Sequence, residues 1–363
     1  MSTSPHLTAQ LPPLALVLLL FVGSLIITMG ASNWFSRRLE TVSDLFDLSP
    51  SLLSLLGALG ANIPNYAASI IAIAGGQVAV GLGIIVGSNI YNIAIILSIS
   101  TFATGERSGI VLPTRAARDV QTVALYALAI MSTTLITVWL LSGMPPGVSV
   151  RLSSQGVLAL IGVGLLTLGV FGGLAYHALQ RVPHAHHPSP DSVLPPLAND
   201  GQATANQKAP SRLMTMRYTG EIVIALLIAL GGVSVMVQYG QVLALELHIS
   251  QVILGLLILA VATSLPNTVV AFSLARTRHA IACVEEVFSS NSINAAFGIA
   301  LPLLFWHALL HDQLLLLLDT PLMVILTVGA LWCVSRRRIS HAVAILLLLV
   351  YSAWVVGHLV LAR

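Results

Sequence analysis

Ten stretches of mainly apolar residues run through this chain, and that feature leaves few folds open to it. They cover residues 14–35, 51–74, 78–102, 120–141, 157–179, 221–239, 252–275, 281–304, 313–334 and 342–361. About 20 apolar residues in a helix cross the hydrocarbon core of a bilayer. In lipid each backbone N–H and C=O must be bonded internally, so segments of this length are helical. The composition agrees: 8% of residues are charged, whereas soluble domains carry about 25%. Too little polar surface is available to cover such a chain in water. The expected fold is an all-α polytopic membrane protein with about ten transmembrane helices and the lipid bilayer as its main environment.

Several other classes are excluded. The net charge is +3, but Lys208 is the single lysine and the arginines lie in short loops, so no basic stripe exists for nucleic acid. No phosphate loop, zinc motif or nucleophile elbow is present, which argues against an enzyme and against a bound cofactor. Cys283 and Cys333 both fall in apolar stretches and read as buried free thiols. The first dozen residues contain no Lys or Arg, so the first apolar stretch reads as a retained helix rather than a cleaved signal.

The basic residues set the orientation. With the N-terminus outside, 14 of the 16 Lys and Arg fall in cytoplasmic loops, leaving Arg151 and Arg363 on the other side. That bias is the one cytoplasmic loops carry. Trp34, Trp139, Trp306 and Trp332 sit at segment ends, as an interfacial aromatic belt requires, while Trp354 does not. A bacterial inner (plasma) membrane, with both termini outside, is the expected setting.

Residues 181–217 interrupt the pattern. They are rich in Pro, His, Ala and Ser and have no apolar period, so they read as a cytoplasmic linker. His184, His186 and His187 lie there without a second ligand cluster, which favours a solvated tract over a metal site. The linker divides the chain into a first five-helix repeat, 1–180, and a second, 218–363. An odd number of spans in each half makes the second enter the membrane from the opposite side, so the halves are inverted repeats.

The duplication is written in the residues. The second span holds Gly60-Ala61-Asn62-Ile63-Pro64-Asn65, and the seventh holds Ala262-Thr263-Ser264-Leu265-Pro266-Asn267. The third holds Gly87-Ser88-Asn89-Ile90-Tyr91-Asn92, and the eighth Ser289-Ser290-Asn291-Ser292-Ile293-Asn294. One offset of 202 residues superposes both pairs. Proline removes a backbone donor and opens the preceding turn. At membrane depth, freed carbonyls are tolerated only inside protein or beside a wet cavity. Gly60, Gly81, Gly83 and Gly87 permit close helix approach. Tightly packed kinked helices would also use such residues. Polar side chains recurring at matched places in both halves favour a substrate site near the pseudo-two-fold axis.

These paired motifs resemble the α-repeats of the cation/calcium exchanger superfamily, in which each half reads G-T-S-x-P-E and then G-S-N-I-x-N. The resemblance spans Gly60 to Asn92, Ala262 to Asn294 and the ten-helix plan. It implies a core of the second, third, seventh and eighth helices, ions bound near the midplane, and alternating access driven by exchange of one cation for another.

The sequence departs from that pattern at its acids. The residue after each proline is Asn65 or Asn267 rather than Glu, and Thr263-Ser264 becomes Ala61-Asn62 in the first half. The implied ligand set is Asn65, Asn267, Asn92 and Asn294, with Ser88, Ser290, Thr263, Ser264 and Asn62 around them. Ca²⁺ takes 6–8 oxygen ligands, usually with carboxylates among them. A neutral amide cage compensates the dehydration of a divalent ion poorly. Na⁺ or another monovalent cation is therefore expected as the transported ion before Ca²⁺. The alternative is a non-transporting or regulatory membrane protein that keeps the exchanger fold.

Glu285 and Glu286 are the only adjacent acids in a span, about 12–14 Å along the helix from Asn294. They read either as an interfacial pair solvated near Arg276, Arg278 and His279, or as a proton-titrating or ion-access site.

Overall fold

The computed structural model describes residues 13–45, 58–142, 154–180, 212–276, 279–306, 310 and 312–361. Among these it contains ten membrane-length or shorter helices and one antiparallel pair of two-residue strands, Ile110–Val111 and Arg338–Ile339. The helices are α1 (Leu14–Leu45), α2 (Ile63–Ala74), α3 (Val78–Ala103), α4 (Thr114–Ser142) and α5 (Ser154–Gln180). The second half supplies α6 (Arg212–Glu246), α7 (Gln251–Arg276), α8 (residues 280–303), α9 (Leu315–Ser335) and α10 (His341–Leu361). Each falls on one of the ten expected spans. Most of the linker, including its three histidines, lies outside the described residues.

Four of the helices are built around local widening. α3 passes through a π turn at Asn92–Ile96, α7 at Leu254–Leu259, α8 at Ala296–Ala300 and α9 at Leu315–Asp319. Such turns leave backbone groups without their regular i→i+4 partner and gather at functional sites. Proline explains two of them. Pro302 lacks an N–H for Gly298, and the Ser69 hydroxyl donates to that carbonyl at 2.6 Å. Pro321 follows Thr320, whose hydroxyl donates to Leu315 O at 2.7 Å across the widened turn.

The prolines of the repeated motifs behave differently from one another. Residues 58–61 form a helical turn that breaks at Asn62, and α2 restarts with Pro64 in its first turn. α7 runs through Pro266 without a break. The expected interruption of both helices therefore occurs in the first half only.

Packing sorts the helices into a core and a periphery. α3 has 94% of its apolar window buried, against 28% for α1 and 22% for α10, so α3 lies within protein and the others present one side to lipid. α2, α7 and α8 surround it. Glycine sets the approach of α3 and α7: a Cβ on Gly87 would lie 2.3 Å from Leu256 O, and one on Gly255 would lie 2.5 Å from Val80 O. α1 and α6, related by the repeat, pair along their length, with Gly232 facing Thr28. α4 and α9 pack together against α3 and α8, with α5 on α4 and α8 and α10 on α3.

Basic side chains gather where this strand pair joins the two halves. Ile110 pairs with Ile339 and Val111 with Arg338. Arg337 donates to Thr114 Oγ1 at 2.6 Å, and Arg338 donates to Ser108 O at 3.1 Å. Arg38 and Arg217 both pair with Glu221. Trp139, Trp306 and Trp332 are exposed, whereas Trp354 is buried, which accounts for its place outside the interfacial belt.

Candidate functional site

Seven asparagines stand where α2, α3, α7 and α8 meet, and all seven are fully buried: Asn62, Asn65, Asn89, Asn92, Asn267, Asn291 and Asn294. An amide carries two donors and an acceptor oxygen, so burial at this density requires a network. The network has two parts.

The first part lies on the pseudo-two-fold axis. Asn92 donates to Asn291 Oδ1 at 2.9 Å, and Asn294 donates to Asn89 Oδ1 at 3.2 Å. The offset of 202 carries each of these bonds onto the other. Asn291 also donates to Asn89 O at 3.2 Å, and Asn89 donates to Asn291 O at 3.5 Å. Met131 Sδ of α4 lies 3.2 Å from Asn89 Nδ2, and Met323 Sδ of α9 lies 3.6 Å from it.

The second part centres on Asn62 at the break in α2. Its Oδ1 accepts from Asn267 Nδ2 at 2.7 Å and from Asn65 Nδ2 at 3.5 Å. Its Nδ2 donates to Ala58 O at 2.8 Å and to Ser290 Oγ at 2.9 Å. Ser290 in turn donates to Glu286 Oε1 at 2.7 Å. A continuous hydrogen-bonded path thus runs from Asn267 through Asn62 and Ser290 to a carboxylate.

The acceptors left over are the notable feature. Asn65 Oδ1, Asn92 Oδ1, Asn267 Oδ1 and Asn294 Oδ1 are closed from solvent and have no hydrogen-bond partner among the described residues. Ser264 Oγ and Glu286 Oε2 are in the same condition. A buried polar atom without a partner costs about 1–3 kcal/mol. Each of these four amide nitrogens donates to a neighbour while its own oxygen accepts nothing among the described residues, so the centre offers free acceptors. Such a set suits a cation and repels an anion.

The nine residues of the expected ligand set are all buried in this core, with different roles, whereas Glu285 is half-buried. The Thr263 hydroxyl turns back to Leu259 O at 2.7 Å, and Ser88 donates weakly to Ala260 O at 3.4 Å. Glu286 joins the network through Ser290, which a solvated interfacial reading does not anticipate. Asn89 and Asn291 were in the quoted motifs yet outside the expected ligand set, and they turn out to be the acceptors that hold Asn294 and Asn92. Asp319 escaped the sequence reading although a lone acid in an apolar span marks a candidate on its own. It is fully buried on α9, 2.7 Å from His358 Nε2.

Known proteins share this architecture. The family model described as sodium/calcium exchanger protein matches residues 16–179 and 218–360, the two five-helix halves on either side of the linker. CaxA of Alkalimonas amylolytica is 33% identical over 114 residues, 31% of this chain, and the match spans only 35% of that relative's length. The sodium-calcium exchanger NCX_Mj superposes with a TM-score of 0.58 at 18% identity, covering 95% of this chain and 99% of that one. Native YfkE superposes with a TM-score of 0.64 at 14% identity, over 93% of this chain and 91% of its own. At these identities the superpositions establish the fold, two inverted five-helix repeats in an integral membrane protein. Since the family match takes in nearly all of both halves, the chain belongs to the sodium/calcium exchanger protein family, a family of transporters rather than enzymes.

Proposed function

We propose that this protein is a secondary active cation antiporter whose transported ion, a monovalent cation such as Na⁺, binds at the asparagine cluster. The observation that carries this reading is the set of four repeat-related amide oxygens, of Asn65, Asn92, Asn267 and Asn294, buried without donors. Each is a lone-pair acceptor held in place by its own amide nitrogen's hydrogen bond. A cation among them relieves a cost of about 1–3 kcal/mol per oxygen. Ser264 and Ser88 stand beside these residues in the two motifs.

Charge favours a single positive charge on the ion. The positions after Pro64 and Pro266 are amides, so the ligand set itself is neutral. Glu286 supplies a carboxylate through Ser290, with Oε2 still unpartnered among the described residues. One carboxylate balances Na⁺ or K⁺ and leaves Ca²⁺ undercompensated, since Ca²⁺ sites draw on several carboxylate oxygens. Alternating access would expose the cluster in turn to each side. In this reading the termini face outward from a plasma membrane and residues 181–217 lie in the cytoplasm, as the basic-residue bias requires.

Flux in purified proteoliposomes, under imposed Na⁺, K⁺, Ca²⁺ and proton gradients, tests the proposal. Exchange supported by a monovalent cation is expected. Absence of flux for every ion would favour a regulatory protein with the exchanger fold, a reading motivated by the amides at 65 and 267.

A further inference from the structure

The asparagine cluster leaves one buried ionisable group unused. Asp319 ends the π turn of α9 and is 0% exposed, and His358 on α10 is 1% exposed. Asp319 Oδ1 accepts from Trp354 Nε1 at 2.7 Å and lies 2.7 Å from His358 Nε2. The indole N–H can only donate, so this oxygen is an acceptor. The second oxygen, Oδ2, is buried with no hydrogen-bond partner among the described residues. The His358 ring also stands edge-on to Trp354, with centroids 5.3 Å apart.

The charge around this pair is unbalanced. With His358 neutral, the pair carries one negative charge within the membrane-spanning bundle, where acids are held only with a partner. α3 has no charged residue, and Asp319 is the only one on α9. On α4, Arg115, Arg118 and Asp119 belong to the first turns, beside the Thr114 that meets Arg337, at the far end of α9 from Asp319. The remaining titratable groups nearby are Tyr351, packed on Trp354, Tyr91, packed on Tyr351, and His248 and Asp312, which line a cavity with His358. No lysine or arginine is among them. One added proton, on His358 or on Asp319 Oδ2, brings the pair to neutrality.

A route to it is present. A cavity of about 400 Å³ opens between the α6–α7 turn, the start of α9 and the end of α10, lined by His248, Ser250, Asp312 and His358 among others. Asp312 is occupied in capping α9, accepting from Leu315 N at 2.9 Å. Glu246 closes α6 two residues before His248. Among the described residues no group of three His, Cys, Asp or Glu is placed to hold a metal ion.

We propose that Asp319 and His358 form a proton-binding site, reached through this cavity and distinct from the asparagine cluster. It communicates with that cluster by a short path. Met323 lies one turn beyond Asp319 on α9, about 6 Å along the axis, and its sulfur touches Asn89 Nδ2. Proton occupancy at the start of α9 is thereby transmitted to a helix that packs on the centre.

Trp354 provides a readout that is independent of transport. In a variant retaining Trp354 alone, with Trp34, Trp139, Trp306 and Trp332 replaced by Phe, emission in vesicles should show one protonation step as pH is varied. Only pH on the cavity's side of the membrane should produce it. His358→Gln and Asp319→Asn, which keep polar groups of similar size, should each abolish the step. Added Na⁺ at constant pH should leave the emission unchanged. Emission that is flat with pH before any change at the pair would overturn the proposal, and so would a step that survives both substitutions or a response to Na⁺ in place of protons. Because no flux is measured, failure here is separate from failure of the antiport reading.

Discussion

The amide of Asn92 on α3 donates to Asn291 Oδ1 on α8 across 2.9 Å, joining the two halves of the chain at their pseudo-symmetry axis. Asn291→Ala leaves the Asn92 donor buried and unpaired, a cost of about 1–3 kcal/mol. The double variant Asn92→Ala/Asn291→Ala removes donor and acceptor together and should be less destabilised than the two single effects summed, by at least about 0.5 kcal/mol. Thermal unfolding of the purified protein in detergent measures this cycle. Strict additivity would show that the bond contributes nothing.

Asn65 gives the opposite signature. Its oxygen has no partner among the described residues, and its nitrogen makes one long contact of 3.5 Å. Asn65→Ala should leave the melting temperature near wild type while weakening cation binding about tenfold or more, equivalent to about 1.4 kcal/mol. Asn65→Glu with Asn267→Glu should raise Ca²⁺ affinity. Isothermal titration at matched folded yield checks both, and full affinity in Asn65→Ala would remove this residue from the site.

Glu286 predicts a direction for pH. A proton and a cation compete for the same carboxylate, so apparent cation affinity should fall as pH is lowered. Glu286→Gln cannot take up that proton, and its weakened binding should no longer vary with pH. A variant whose pH profile parallels wild type would return Glu286 to a structural role.

The glycines of the α3–α7 crossing divide from those facing lipid. Gly87→Ala places a methyl group 2.3 Å from Leu256 O and should destabilise by about 1–3 kcal/mol or prevent folding. Gly162→Ala meets nothing within 4 Å and should be neutral or better. Fluorescence-detected size exclusion after heating separates the two outcomes.

Orientation is testable with single cysteines, because Cys283 and Cys333 are both buried. A cysteine placed between 181 and 217 should react with impermeant maleimide only in opened cells. One appended at the C-terminus should react in intact cells. Labelling of the linker from outside would reverse the assigned topology.

Much of this was legible in the sequence because the bilayer imposes a single length scale. Every expected span coincides with a helix, and the 202-residue offset picks out Asn65, Asn92, Asn267 and Asn294, all of them fully buried. What escaped depends on packing between helices distant in the chain. The bond from Asn62 to Ser290 crosses 228 residues and draws Glu286 into the network. Neither the role of Asn89 as acceptor for Asn294 nor the pairing of Asp319 with His358 has a local periodicity that would reveal it. Pro266 was misjudged for the same reason: its motif matches Pro64, yet α7 accommodates it without breaking.

The reciprocal bonds of Asn89 and Asn291 bear on the energy of the opposite-facing conformation. Let the two halves trade shapes, as inverted repeats permit. Asn92 to Asn291 then becomes Asn294 to Asn89, and the tally of bonds on the axis does not change. Two members of the bonded network do not map onto themselves: Asn62 opposes Ser264, and Ile84 opposes Glu286. With the break at Asn62, which α7 lacks, they make the two facing states unequal, and exchanging Ile84 with Glu286 should shift the resting preference of the carrier between the two sides of the membrane.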